Sequence, residues 1–545
     1  MESQLCPVKA QTQKDCQPAC VKYQEFYNGC SQRIEKLVDD EKANCLGQYL
    51  EYIQCVDKCN LSGLSVCLSV GRVEFGIILC FGITYRMPPG PFPLPVIGNL
   101  HQMGKHAPKS LKQFSDKYGG LTTIFLGSVP TVVVSDPALI KELIVDRSEE
   151  IIDRFNSDSA KIIGEEKNLL FAKGPYWKKY RKVFTTAMTK ARSFNIASRI
   201  EAQAVSLNRF FGTFATSGQL LSPHVYIRRY SLNGVIDYSF TDAVDYESEN
   251  EHVVIRAAEI MEDLLATGNP QDFIPILKPV FNSKRVLLAN TVGQVWSYCQ
   301  DAIDLHKKTL DREKPRDMLD VLLIEMEKSE DSAFFESQDD SLAKCLTDLI
   351  IAGHETVATT LGWMIIFLVN NPDIQERAYQ ELINVVGKGN LPQLHHRNAT
   401  PYLNAIIKET MRIRTPAPLA LPRCAVNDIE IGGYVIPKNT QVLMAVYGMA
   451  MDENHFEKPE VFNPDRWVSK QPSPNSLTDY AYIPFGVGPR MCVGMGVAKD
   501  ELYYIVSQML INFKWSSPDG RPLDDEGICR VSLEYKHYQV RLEHR

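Results

Sequence analysis

The stretch Pro484–Gly494, P-F-G-V-G-P-R-M-C-V-G, runs directly into an apolar helical segment, Gly496–Asn512. It is a glycine-rich loop that presents one cysteine, Cys492, at a helix N-terminus. That end of a helix carries partial positive charge, so the thiol there is expected to ionise more readily than an ordinary one. Gly486, Gly488 and Gly494 permit turns and close backbone approach to a flat ligand. A lone thiolate suits a haem iron, toward which it pushes electron density. No other cysteine is near enough in sequence to suggest a zinc or iron–sulfur site. A single cysteine is more often a buried structural residue, and the full pattern F-x-x-G-x-R-x-C-x-G, Phe485–Gly494, is what argues against that here.

The composition sets the frame around this loop. The chain has 545 residues, 44% hydrophobic and 23% charged, ordinary values for a globular protein and enough to bury a sizeable core. Disorder, collagen and coiled-coil classes are excluded for most of it. The net charge of −7 gives no electrostatic case for binding nucleic acid. The 14 cysteines are unevenly placed: Cys6, Cys16, Cys20, Cys30, Cys45, Cys55 and Cys59 fall within the first 60 residues. That piece reads as a disulfide scaffold from an oxidising space, and the remainder as a protein of a reduced compartment. Met1–Ala10 has no apolar core, so no secretory signal is expected. Leu61–Tyr85 is the best candidate for a membrane segment, but Arg72 and Glu74 interrupt it and leave Phe75–Ile83 as its longest apolar run.

Residues 16–59 read as a helical hairpin. Cys16 to Cys20 and Cys55 to Cys59 span one turn each, and Cys20 to Cys30 repeats as Cys45 to Cys55. Two such helices laid antiparallel would pair Cys20 with Cys55, Cys30 with Cys45 and Cys16 with Cys59, a connectivity that spacing does not prove. Beyond a linker over 61–87, the run Pro88–Pro95 is rigid and extended. Strands are expected at Thr122–Leu126, Thr131–Ser135 and Gln441–Val446, with a hairpin over Asp428–Pro437 turning at Gly432–Gly433 and a terminal strand over Glu534–Leu542. Helices are expected at Pro137–Asp146, Tyr176–Lys190, much of 195–310, about Leu342–Asn370 and Tyr402–Ile413.

Four further motifs stand on these elements. A-G-H-E-T, Ala352–Thr356, lies on the long apolar helix. Ala352 and Gly353 are small enough to leave room for dioxygen, and Gly353 shares a face with Thr356. A hydroxyl beside the Glu355 carboxylate can relay protons, although a mid-helix threonine usually bonds its own backbone. His354 reads as packed or solvated. K-E-T-M-R places Glu409 and Arg412 on one helix face, and F-N-P-D-R-W supplies Arg466. W-K-K-Y-R, Trp177–Arg181, can point Trp177 and Arg181 inward together, leaving Lys178, Lys179 and Lys182 outward. L-P-R ends in Arg423.

These motifs, in this order, resemble the cytochrome P-450 family of haem-thiolate monooxygenases, of the fungal microsomal type, over residues 86–545. The resemblance implies a mostly α fold with small β-sheets, here preceded by a disulfide-linked α-helical hairpin. It implies haem b held by Cys492 as iron ligand, with Trp177, Arg181, Arg423, Phe485, Gly486, Arg490 and Gly494 binding the cofactor. Gly353, Glu355 and Thr356 become the catalytic residues, and Glu409, Arg412 and Arg466 a structural lock. The implied reaction inserts one oxygen atom of O2 into a small apolar organic substrate, such as a secondary metabolite. Electrons are expected from NADPH through a separate cytochrome P-450 reductase, at the cytosolic face of the endoplasmic reticulum membrane. A haem-thiolate isomerase or dehydratase is the alternative, against which A-G-H-E-T argues.

The strings A-C-V-K-Y-Q-E-F-Y-N-G-C-S-Q-R-I and N-C-L-G-Q-Y-L-E-Y-I-Q-C-V-D-K-C resemble the hinge subunit of mitochondrial ubiquinol–cytochrome c reductase. That implies complex III as a partner of residues 16–60 and the mitochondrial intermembrane space or inner membrane as an alternative location. The two parts suit different compartments, so the chain is either a true fusion or two joined reading frames. The expected organisation is a hairpin over 1–60, a linker or degraded anchor over 61–87, and a haem domain over 88–545.

Overall fold

The computed structural model describes residues 86–193, 197–248, 252–265, 269–337, 340–468 and 477–545. The expected hairpin, its six paired cysteines and the segment 61–85 lie outside them. The five cysteines inside, Cys299, Cys345, Cys424, Cys492 and Cys529, are all free thiols.

The described chain is mostly helical. In order it runs through β1 (Leu121–Leu126), β2 (Val129–Val134) and β3 (Asp153–Arg154), then α1 (Gly174–Ser193), α2 (Ala197–Ser217), α3 (Pro223–Phe240), α4 (Val253–Leu265), α5 (Asn282–Thr309) and α6 (Met318–Lys328). It continues through α7 (Ser341–Asn370), α8 (Pro372–Val386) and α9 (Pro401–Ile413), then β4 (Arg423–Cys424), β5 (Ile429–Ile431), β6 (Tyr434–Ile436) and β7 (Gln441–Met444). α10 (Met495–Asn512), β8 (Phe513–Ser516), β9 (Ile528–Cys529), β10 (Leu533–Glu534) and β11 (Arg541–His544) complete it. The larger sheet has the order β1-β2-β7-β4-β3, with β2 and β7 parallel and the other pairs antiparallel.

The core is built around α7. Its apolar stretch is mostly buried inside the fold. Apolar residues on all sides are what a helix surrounded by other helices needs. α3 lies against it so closely that a Cβ on Gly353 would sit 2.6 Å from Val235 Cγ2. Phe367 of α7 stacks on Phe462 at 4.5 Å, which ties in the loop after β7. Buried residues along α10, among them Leu502, Tyr503 and Ile505, complete the same core.

One sequence expectation is refined and two are corrected. The helix over Pro137–Asp146 is α-helical only to Ile140; Lys141–Asp146 winds more widely, with Arg147 N–H donating to Glu142 O five residues back. The strand expected to reach Val446 stops at Met444, and Val446–Ala450 is helical. The terminal strand is two pieces: β10 pairs with β9, and β11 with β8. Between them Tyr535 and Tyr538 turn onto α7, where Tyr538 Oη donates to Gly362 O and Gly362 leaves room for the Tyr535 ring. The hairpin turn forms at Gly432–Gly433, both at positive φ, as a two-residue connection requires.

Candidate active site

The loop before α10 holds Cys492 by its backbone: Cys492 N–H donates to Phe485 O at 2.9 Å. Gly486 and Gly488 take positive φ of 68° and 71°. At Gly488 a Cβ would lie 2.2 Å from Ile144 O, so no other residue fits there. The Cys492 thiol is accessible although protein surrounds it. Burial pushes its pKa up, while the N–H groups of Gly494 and Met495 and the charges of Arg181 and Lys499 pull it down. The helix N-terminus therefore acts as anticipated, but desolvation outweighs it and the net shift is upward.

Beside the thiol stand four arginines. Arg490 donates from Nε to Ile152 O, from Nη1 to Leu169 O and from Nη2 to Ala172 O, and its guanidinium lies 3.8 Å from the centroid of the buried Trp177 ring. Arg181 reaches Met491 O at 2.5 Å. Arg154 of β3 donates to Leu170 O and Leu421 O. Arg423 of β4 donates to Val487 O, while among the described residues its Nε and Nη1 are buried with no hydrogen-bond partner. Among the described residues none of the four makes an ion pair; Asp153 attracts Arg490 only at longer range. Burial pushes Arg423 down to about 10. Burial and then the charges of Arg423 and Arg181 push Arg490 down to about 9. Arg154 is held well below its usual value by burial and the three other cations. Buried cations in this number are costly without an anion.

The A-G-H-E-T segment of the long helix is arranged differently from the expected way. Ala352 is exposed in mid-helix and Thr356 half-exposed, one turn apart, and Thr356 Oγ1 donates to Ala352 O at 2.8 Å. Gly353 is turned toward Val235 of α3, so its small size serves helix packing rather than open space. Glu355 does not bond the Thr356 hydroxyl. It accepts from Thr359 Oγ1 at 2.9 Å and lies 3.4 Å from both Arg228 Nη2 and Ser532 Oγ. Successive residues point about 100° apart around a helix, which explains the divergence. His354 is fully buried, and burial and Arg228 push its pKa down to about 3, so it is a packed neutral residue.

Glu409, Arg412 and Arg466 come together. Glu409 Oε1 accepts from Arg412 Nη2 at 2.8 Å and from Arg466 Nε at 2.9 Å, and Oε2 accepts from Arg412 Nε and Trp467 Nε1. On α1, Lys178 and Lys182 are exposed. Lys179 is half-buried, paired with Asp331 and 4.3 Å from the Phe334 ring.

The family model for cytochrome P-450 matches residues 88–542. The chain is a cytochrome P-450. Probable cytochrome P-450 516B1 of Dictyostelium discoideum is 65% identical to it, covering 85% of this chain and 96% of the relative. Probable cytochromes P-450 516A1 and 519E1 of the same organism are 38% and 33% identical over 85% of this chain and 95% of each relative. Residues 8–64 match the ubiquinol-cytochrome C reductase hinge protein model.

A cytochrome P-450 is a monooxygenase that uses haem iron, works with a redox partner and acts on an organic substrate. Haem b carries two carboxylates on a flat ring, and the residues present suit it. Two orphaned nitrogens of Arg423 and a set of buried guanidiniums call for anions beside an accessible thiol. Sequence reasoning missed Arg154. Its only signal is an arginine within the apolar strand segment I-I-D-R-F.

Proposed function

We propose that this cytochrome P-450 inserts one oxygen atom of O2 into a small apolar organic substrate, with electrons from NADPH passed through a separate flavoprotein reductase. The observation that carries the site assignment is the group of buried, anion-free guanidiniums around an accessible thiol. Haem, when bound, supplies the iron chemistry that activates dioxygen. Cys492 is the ligand to that iron, and the N–H groups of Gly494 and Met495 favour its thiolate against burial. Arg423, Arg490 and Arg181 hold the carboxylates, with Trp177 stacked under Arg490. Phe485, Gly486 and Gly494 shape the loop against the ring. Thr356 holds a proton at Oγ1, and Glu355 resupplies it after a side-chain rotation, because the two are apart at rest. Gly353 supports this segment by admitting α3.

Lys178 and Lys182, exposed on α1, suit an acidic reductase surface. The enzyme is placed at the cytosolic face of the endoplasmic reticulum membrane, with the haem domain over 88–545 following a linker at 61–87. A second reading concerns the N-terminus alone. The hinge protein match over residues 8–64 supports a hinge-like segment there that would engage complex III in mitochondria.

The reduced carbonyl complex of the haem-loaded full chain is expected to show the strongly red-shifted Soret band of a thiolate ligand, and Cys492→Ser to lose it. An unchanged band in that variant would overturn the ligand assignment. Thr356→Ala is expected to keep the band but to divert reducing equivalents to peroxide, measured as hydrogen peroxide formed per NADPH consumed.

A further inference from the structure

The Glu355 carboxylate meets two others, Glu262 of α4 and Glu534 of β10, with one oxygen of each within 4.8 Å of the other two. Each is held in place. Arg228 of α3 donates from Nη2 to Glu262 at 2.8 Å and lies 3.4 Å from Glu355. The Ser532 hydroxyl stands between Glu355 and Glu534, 3.4 Å from one and 3.5 Å from the other. Trp363 Nε1 donates to Leu533 O at 2.7 Å, which pins β10 to α7. Outward from the cluster, Arg530 lies 3.4 Å from Glu534 and 2.8 Å from Asp263, whose side chain is exposed to solvent.

Other titratable and charged groups facing the cluster or its Arg228 are His224 of α3, Glu259 of α4, His354 of α7 and Tyr535 after β10. Against three carboxylates stand Arg228 and Arg530, and the second is shared with Asp263. Like charges this close do not all ionise, so the cluster retains a proton that belongs to the group rather than to one residue. Burial, then the hydrogen bond and charge of Glu355, push Glu262 up to about 8. Burial and then Glu262 push Glu534 up to about 7.

We propose that Glu262, Ser532 and Glu534 are positioning residues that supply protons to Glu355, taking them from solvent at the Asp263–Arg530 rim, with Arg228 holding Glu355 against Glu262. Uptake moves one proton from solvent to a carboxylate; each later transfer moves one proton from a carboxylic acid to a carboxylate, Ser532 Oγ gaining one proton as it gives one up, and no oxidation state changes. The inference rests on the reading of Glu355 as a proton donor.

The test uses the haem-loaded full chain with NADPH and a flavoprotein reductase. Oxygen consumption and the share of oxygen released as hydrogen peroxide are followed from about pH 6 to 9, where the acids above change state. Glu262→Gln and Glu534→Gln are expected to keep the carbonyl Soret band, raise the peroxide share about two-fold or more and flatten the alkaline limb of the pH profile. Glu262→Asp, which keeps the acid, should restore the limb. An unchanged peroxide share and pH profile in both glutamine variants would overturn the proposal. If Glu355→Gln changes both readouts while those two change neither, this inference fails alone. If Glu355→Gln also changes neither, the underlying reading of Glu355 fails with it.

Discussion

Two buried arginine clusters in this molecule solve the same problem in opposite ways. Around Glu409, one carboxylate accepts from two guanidiniums, an indole N–H and the backbone N–H of Asn463, so the protein supplies both signs of charge. Around Cys492, four guanidiniums donate mainly to backbone carbonyls, and among the described residues two nitrogens of Arg423 have no hydrogen-bond partner. The first cluster is complete without any cofactor. Among the described residues the second has no anion paired with it. On the proposed function, the difference separates residues that hold the fold from residues that would hold the haem, although arginines serve in both.

The largest effect is expected where the chain has supplied its own anion. Glu409→Ala strands Arg412, fully buried, together with Arg466 and the Trp467 N–H. Breaking a buried pair from one side costs ~3–5 kcal/mol. Thermal unfolding should show that loss with and without haem alike, and a loss confined to the haem-loaded form would break the contrast. Next comes Arg423→Met. Without haem, the variant removes a buried charge that has one protein partner, so the apo chain should melt no lower than the parent. With haem, loss of a charge-assisted contact should weaken retention by ~100-fold, about 3 kcal/mol, measured by haem transfer to an apo-globin acceptor. A lower apo melting point with undiminished haem retention would make Arg423 a fold residue after all.

The same contrast explains what could be read in the sequence. The loop around Cys492 and the helix bearing Ala352–Thr356 were legible because their chemistry is local: adjacent residues carry the glycines, the thiol and the hydroxyl. Glu409 and Arg412 were legible for the same reason, one turn apart on α9. Arg154 was not, because its importance lies in backbone carbonyls 16 and 267 residues away. Nor was the attachment of Glu355 to Arg228, Glu262 and Glu534, which sit on three other elements. Tyr535 and Tyr538 broke the terminal strand in two because α7 offers them a groove at Gly362, a tertiary preference that overrides strand alternation.

Gly353 offers the smallest effect and separates two explanations of one residue. Read from sequence, its size makes space for dioxygen beside Thr356; in the fold, it admits Val235 of α3. Gly353→Ala should gain ~1 kcal/mol from helix propensity. It should lose ~1–3 kcal/mol from overpacking, because the β-branched Val235 has little rotamer freedom with which to move away. A net destabilisation of about 0–2 kcal/mol is therefore expected, with peroxide formation per NADPH unchanged. Val235→Ala should absorb the clash, so the double variant should be more stable than the two single effects summed, the sign of a direct contact in a double-mutant cycle. If Gly353→Ala instead melts like the parent, shows no coupling to Val235→Ala and raises peroxide release, the open-space explanation holds and the packing one falls.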